Sequence, residues 1–181
     1  ETEKQLGPID ILVNNAAITY FEPVEVFSES HYRLMFEVQV RAPFELSQAV
    51  LPGMKERGSG WIVNISSGAG RHPQGPPYAG GTGGTVYGMC KAALERFTTG
   101  LASEVYEHGI AVNVVSPSGL VLTPGVVHHK LHERTPEDRH EPVSYMAEAA
   151  HALATGDPKT VTGMVTYAKP CMEALGVPFP E

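Results

Sequence analysis

The stretch Ile9–Val13 reads IDILV, an apolar run broken by one acid, and it leads directly into Asn14-Asn15-Ala16-Ala17. A short continuous run of this kind predicts a strand buried on both faces, as in a parallel sheet. Three more runs repeat the theme. Trp61–Ile65 ends at Ser66-Ser67, Ile110–Val115 ends at Ser116-Pro117-Ser118-Gly119, and Val161–Tyr167 supplies a last strand. Between the runs the period changes. Ser28 suits the N-cap of a long helical pattern reaching towards Arg57, with Glu29 in its first turn and Pro43 placed to bend or end it locally. From about Val86 to His108 a second helix is expected, in which Leu94, Phe97, Leu101 and Val105 share one face until Gly109 stops it. Ser144–Thr155 supports another helix, and Ser116–Pro142 reads as a long, mobile excursion. Strands alternating with helices imply right-handed crossovers and an α/β fold with a doubly wound, mostly parallel sheet. No repeat or linker divides residues 1–181, so one domain is expected.

Composition narrows the function classes. With 42% hydrophobic and 18% charged residues the chain is ordinary for a globular domain, and no run approaches the roughly 18 apolar residues of a membrane span. The formal net charge of −7 argues against a nucleic-acid partner, whose phosphates repel it. Cys90 and Cys171 lie far apart without metal-ligand spacing, which disfavours a disulfide scaffold or a zinc module and fits a cytoplasmic setting.

In open α/β sheets ligands bind at the carboxyl ends of strands, so the residues after each strand define the candidate cleft. They are Asn14 to Ala17, Ser66-Ser67 and Ser116 to Gly119, all small or polar. Strand ends carry such turn residues for structural reasons too. The helix after the Gly-rich loop opens Tyr87-Gly88-Met89-Cys90-Lys91, which puts a phenol and an ammonium one turn apart on one face. A nearby ammonium favours the phenolate and lowers a pKa that starts near 10, which equips a tyrosine to exchange protons close to neutrality. The same spacing also occurs on solvated helix faces.

Taken in order, Asn14-Asn15-Ala16-Ala17, Val63-Asn64-Ile65-Ser66-Ser67, Tyr87 with Lys91, and Val112-Asn113-Val114-Val115-Ser116-Pro117 resemble the motifs of the short-chain dehydrogenase/reductase family. Thr162-Gly163-Met164-Val165-Thr166-Tyr167 resembles that family's last strand. The resemblance implies a Rossmann-like fold and an oxidoreductase that interconverts an alcohol and a ketone or aldehyde with NAD or NADP. It implies Tyr87 as general acid/base, Lys91 as the residue that lowers its pKa and bonds the nicotinamide ribose, and Ser67 as the holder of the substrate oxygen. Asn14, Asn15 and Ala16 would lie along the adenosine side of the cofactor. Pro117, Gly119 and Val121 would back the nicotinamide, with Thr123 at its carboxamide. A homodimer or homotetramer of the full-length form is implied in the same way.

The sequence also departs from the family pattern. Val38-Gln39-Val40 stands where a helical Asn is usual, so a proton relay through Gln39 would be displaced by one methylene. The gap from Ser67 to Tyr87 is 20 residues, longer than usual, with the excess at 79–84, where Ala79 leads into a Gly-rich run that suits a surface loop or a gate. Pro117-Ser118-Gly119 inserts a residue into the usual Pro-Gly turn. No Gly-rich pyrophosphate cradle is found, and on the order of 80–90 residues of the family fold, its first strands and helices, are expected to be absent. The choice between NAD and NADP is therefore unreadable. The strand at Ile9–Val13 should lack a partner on one side, so this chain by itself is expected to be marginally stable, to bind cofactor poorly and to be inactive. A non-catalytic binding or scaffolding protein of the same fold is the alternative. His128, His129, His132 and His140 invite a metal reading, because His128 and His132 share an i, i+4 spacing, but Lys130, Glu133, Arg134, Glu137, Asp138 and Arg139 around them read as a solvated loop or lid over the substrate at 117–142, and no metal is expected.

Overall fold

The computed structural model describes residues 2–78 and 83–180. Four parallel strands, β1 (Ile11–Asn14), β2 (Gly60–Ile65), β3 (Ile110–Ser116) and β4 (Val165–Tyr167), lie side by side in chain order. Asn14 stands opposite Asn64, Ile65 opposite Val115, and Ser116 opposite Tyr167, so the strands end along one sheet edge. Seven helices connect and cover them: α1 (Thr2–Leu6), α2 (Glu29–Phe36), α3 (Ala42–Arg57), α4 (Thr85–Val105), α5 (Pro124–His128), α6 (Val143–Thr155) and α7 (Ala168–Leu175).

Alternate side chains of the strands point to opposite faces, and each face is closed by helices. On one, Val50 and Met54 of α3 and Leu101 and Val105 of α4 bury Ile62, Ile110 and Val112. On the other, Ala149 and Leu153 of α6 and Cys171 and Met172 of α7 cover Val63 and Val115. Every position of β3 is buried, as its unbroken apolar run requires. A third cluster joins Met35 of α2 to Val86 and Cys90 of α4 and to Ile18, Tyr20 and Phe27 after β1. That cluster pins the N-terminal turn of α4, and with it Tyr87, against the loop leaving β1.

Ser28 caps α2 as expected, its hydroxyl accepting the His31 N–H at 3.5 Å. The helical path then runs to Arg57 without a break, because Glu37–Arg41 widens into a π-turn in which the Ala42 N–H bonds to the Glu37 carbonyl. Pro43 has no N–H and its ring clashes with the carbonyl four residues back, so the wider turn absorbs the proline that was expected to bend or end the helix.

Several boundaries differ from the reading of the sequence. β1 starts at Ile11 rather than Ile9, although the Asp10 carbonyl already accepts the Trp61 N–H at 3.0 Å. β4 starts at Val165 rather than Val161, because Thr160 and Val161 turn back onto the Asp157 carbonyl. The excursion at 116–142 carries α5, capped by Thr123, and its ends are tied by Leu120 N–H to Arg139 O at 2.8 Å and Glu141 N–H to Leu120 O at 3.0 Å. It is thus a hydrogen-bonded lid and not a structureless loop. α7 was not anticipated. Ala79 to Thr82, most of the insertion expected at 79–84, lie outside the described residues. Among the described residues β1 pairs only with β2, and Ile11 and Val13 are 43% and 47% exposed.

Candidate active site

The carboxyl ends of β2 and β3, the first turn of α4 and the lid enclose a cleft of about 840 Å³, within the range of small-molecule sites. Ser67, Tyr87, Pro117, Gly119, Val121 and Thr123 all line it. The sequence placed these six on three separate segments, and the fold brings them together.

The two serines after β2 divide their work. Ser66 is buried and gives its hydroxyl proton to Glu95 Oε1 at 2.8 Å. Ser67 opens the single 3-10 turn Gly68–Gly70, accepting the Ala69 N–H at 3.3 Å, and its hydroxyl stands near enough to the Tyr87 phenol to pull its pKa down. One helical turn below, Lys91 is 3% exposed and donates to the Ile65 carbonyl at 3.0 Å, with its nitrogen 5.6 Å from the Tyr87 ring centre. Burial pulls the Lys91 pKa down to about 8, against weaker opposing pulls from Cys90 and Glu95. Burial also raises the Tyr87 pKa, and the neighbouring Ser67 hydroxyl offsets part of that rise. Lys91 is turned to a backbone carbonyl and is not among the groups that shift Tyr87, so the lowering expected from their spacing does not appear.

Backbone contact fixes this arrangement. A Cβ on Gly88 would stand 2.7 Å from the Ala69 carbonyl oxygen, so only glycine lets α4 approach the turn that carries Ser67 so closely. Gly119 plays the same part in the lid, where a Cβ would meet the Arg139 carbonyl at 2.5 Å. Glu141 supports the lid from below. It is 5% exposed, accepts the Ser118 N–H at 2.9 Å, and leaves Oε2 without a partner; burial raises its pKa. Sequence reading missed it, because a lone Glu in a charged loop gives no signal of burial.

Other expected residues fall elsewhere. Asn14 is buried in a hydrogen-bond chain, donating to Asn64 Oδ1 at 2.8 Å while Asn64 donates to Thr98 Oγ1 at 2.8 Å, so it ties β1 to β2 and α4 and does not line the cleft. Asn15 and Ala16 are exposed beyond the end of β1, and Ala17 and Thr19 line the cleft instead. Gln39 is buried in the π-turn, its amide donating to the Ile18 carbonyl at 2.8 Å and its Oε1 left without a partner. It props the loop after β1 and lies outside the cleft lining. His129 of the substrate-side loop lines the cleft with its Nε2 3.2 Å from Thr19 Oγ1 and its ring edge-on to Phe21 at 5.1 Å; Phe21 in turn stands edge-on to Tyr87 at 5.8 Å. His140 faces the Thr135 carbonyl at 3.1 Å. Among the described residues no three His, Cys, Asp or Glu side chains gather as metal ligands would.

A parallel sheet covered by helices on both faces, with Ser67, Tyr87 and Lys91 gathered near its carboxyl edge, defines a Rossmann-like α/β protein. A family model for short chain dehydrogenase matches residues 1–133. The chain belongs to that family. It is 39% identical over 120 residues to L-xylulose reductase of Bos taurus, covering 66% of this chain and 46% of that one. It is 31% identical over 179 residues to nodulation protein G of Azospirillum brasilense, covering 91% and 69%. Among solved structures, a gluconate 5-dehydrogenase from Burkholderia cenocepacia in complex with NADP and tartrate is 29% identical with a TM-score of 0.72, covering 92% of this chain and 64% of that one. ElxO with NADP bound is 27% identical with a TM-score of 0.75, covering 92% and 68%. The chain spans about half the length of the first curated relatives it matches.

The residues present fit the nicotinamide end of such a cofactor. A buried ammonium with one backbone partner retains donors for ribose hydroxyls, and the Pro117–Thr123 wall offers an apolar and small-residue surface beside Ser67 and Tyr87.

Proposed function

We propose that the chain is the catalytic part of an NAD(P)-dependent oxidoreductase interconverting an alcohol and a ketone or aldehyde. The observation that carries this reading is that Ser67 and Tyr87 meet at the cleft wall with Lys91 buried one turn beneath them. A bound nicotinamide supplies or takes up the hydride. Ser67 would hold the substrate oxygen, and the Tyr87 phenol would give it a proton in the reducing direction and accept one in the oxidising direction. Burial keeps Tyr87 protonated, which suits it to donate. Lys91 would bond the ribose when released from the Ile65 carbonyl, and its charge would then stabilise the phenolate left behind. Pro117, Gly119, Val121 and Thr123 would back the nicotinamide, and Asn15 and Ala16 would flank the adenosine side. Gln39 acts as a positioning residue through Ile18. A scaffold without catalysis would have no use for a buried lysine beneath a tyrosine–serine pair.

The relatives support this reading, since L-xylulose reductase and acetoacetyl-CoA reductase are among them. Phe44 and Leu46 of α3 are 50% and 49% exposed, beside a groove formed with Leu51, Phe97 and Leu101, a face suited to pairing with a second copy. No described helix is long and apolar enough to cross a membrane, and both cysteines are free and buried, which fits a cytoplasmic setting. With its exposed β1 edge, this chain by itself is expected to bind NADH and NADPH weakly; micromolar binding in a fluorescence titration would count against that. The activity itself is tested on the full-length form, with NADPH and NADH deuterated at the transferable position and a panel of ketones. The reading expects deuterium on the carbinol carbon of a product, and deuterium in none of the products would refute it.

A further inference from the structure

The cleft carries a charge opposite to that of the chain. Overall the sequence has 13 Lys and Arg against 20 Asp and Glu, yet the cleft is lined by three of the former, Arg71, Arg139 and Lys169, and by one of the latter, Asp138. Arg33, Arg41 and Arg57 are in salt bridges with Glu29, with Glu37 and Glu45, and with Asp10. Among the described residues none of the three cleft cations is in a salt bridge.

Arg71 in particular is braced without being neutralised. Its guanidinium lies 4.0 Å from the ring centre of Tyr167, at the end of β4. Stacking on an aromatic face orients the fork and leaves its N–H edge open to a carboxylate or phosphate. Arg71 also closes the 3-10 turn that Ser67 opens, its own N–H bonded to Gly68 O at 3.2 Å. At roughly 2 Å of rise per residue, its Cα stands on the order of 8 Å beyond that of Ser67. Lys169 stands two residues past Tyr167 with its nitrogen 5.8 Å from the Tyr145 ring centre. Glu141, the buried acid that feels Lys169, faces the Ser118 N–H.

We infer that the cleft selects substrates bearing an anionic group, a carboxylate or phosphate a few bonds from the reacting carbonyl, with Arg71 as its principal anchor and Arg139 and Lys169 completing a positive rim. This rests on the reductase reading for the word substrate, but the anion site stands on its own geometry. A positive rim in an acidic protein concentrates anions at one mouth and so contributes to on-rate as well as affinity.

The test is a calorimetric titration of the protein with levulinate and with its neutral amide, which have nearly the same shape. Levulinate is expected to bind about tenfold more tightly, the amide's affinity to be unchanged by Arg71→Gln, and levulinate's to fall to the amide's level in that variant. Arg33→Gln, at a remote exposed site, should leave both unchanged. Equal binding of the two ligands, binding of neither, or an Arg71→Gln effect confined to NADPH would overturn the inference. Turnover separates it from the reading it rests on. Reduction of neutral ketones without levulinate preference leaves the reductase and removes the anion site. Arg71-dependent levulinate binding with no hydride transfer to any carbonyl does the reverse.

Discussion

Gly88→Ala tests whether backbone contact sets the active-site geometry. By helix propensity alone the change should help, since alanine is favoured over glycine in a helix interior by about 1 kcal/mol. The structure opposes this. The new Cβ would lie 2.7 Å from the Ala69 carbonyl oxygen, short of the 3.4 Å at which ordinary contact begins, and the obstacle is backbone. Either α4 or the turn at Gly68–Gly70 must move by about 0.7 Å, the difference between those distances. Overpacking of this kind costs about 1–3 kcal/mol, so the net change in stability should be small or unfavourable. The larger effect falls on chemistry. Ser67 sits on one side of the displaced contact and Tyr87 on the other, and a shift of that size takes their hydroxyls out of good hydrogen-bond distance. Turnover is expected to drop by about 10- to 100-fold, since misplacement near 1 Å costs on that order. Urea melts and steady-state kinetics on the same preparations read both terms. A variant that is more stable and equally active would refute the reasoning.

Three further outcomes follow from buried polar groups. Lys91 has a folded-state pKa near 8, below its unfolded value, so its burial penalty is fully present below that pH and is relieved as pH rises towards 10. Lys91→Met should flatten the gain in stability between pH 7 and pH 9.5 in denaturant melts, and an unchanged slope would remove the claim. Glu141 is shifted the other way for a carboxyl, upwards, so stability is lost as pH rises from the unfolded value of about 4.5 through the folded one. Glu141→Gln keeps an acceptor for the Ser118 N–H, and its melting temperature relative to the parent should improve from pH 4 to pH 7. Asn64→Ala strips the acceptor from Asn14 and the donor to Thr98, and should cost about 2–3 kcal/mol by chemical unfolding; a loss under 0.5 kcal/mol would show that the chain of amides carries little.

The fold was readable from the sequence because its strands are short apolar runs, Ser28 caps α2, and Leu94, Leu101 and Val105 of α4 recur at helical spacing, and these signals agree with the tertiary structure. What stayed hidden depends on contacts between distant residues. Asn14 has the composition of a ligand-side turn, but Asn64 lies opposite it in register and takes its amide. Pro43 signals a helix break, yet the π-turn before it costs no more than a shift in hydrogen-bond partners. Residues 116–142 read as a long, mobile excursion, although Thr123 with Pro124 behind it is a recognisable N-cap and first-turn pair. Tyr87 and Lys91 were placed together correctly by helical spacing. The direction of the Tyr87 shift was not, because burial depends on the whole fold and here it raises the phenol's pKa.

The central claim is that Tyr87 is the proton donor and acceptor of an NAD(P)-linked oxidoreductase. The most direct measurement is the turnover of Tyr87→Phe against the parent, both in the full-length form, with the same carbonyl substrate and with cofactor affinity determined for both. A loss of about 100- to 10,000-fold in kcat with cofactor binding largely retained is the predicted result. Equal turnover by the two proteins would contradict it.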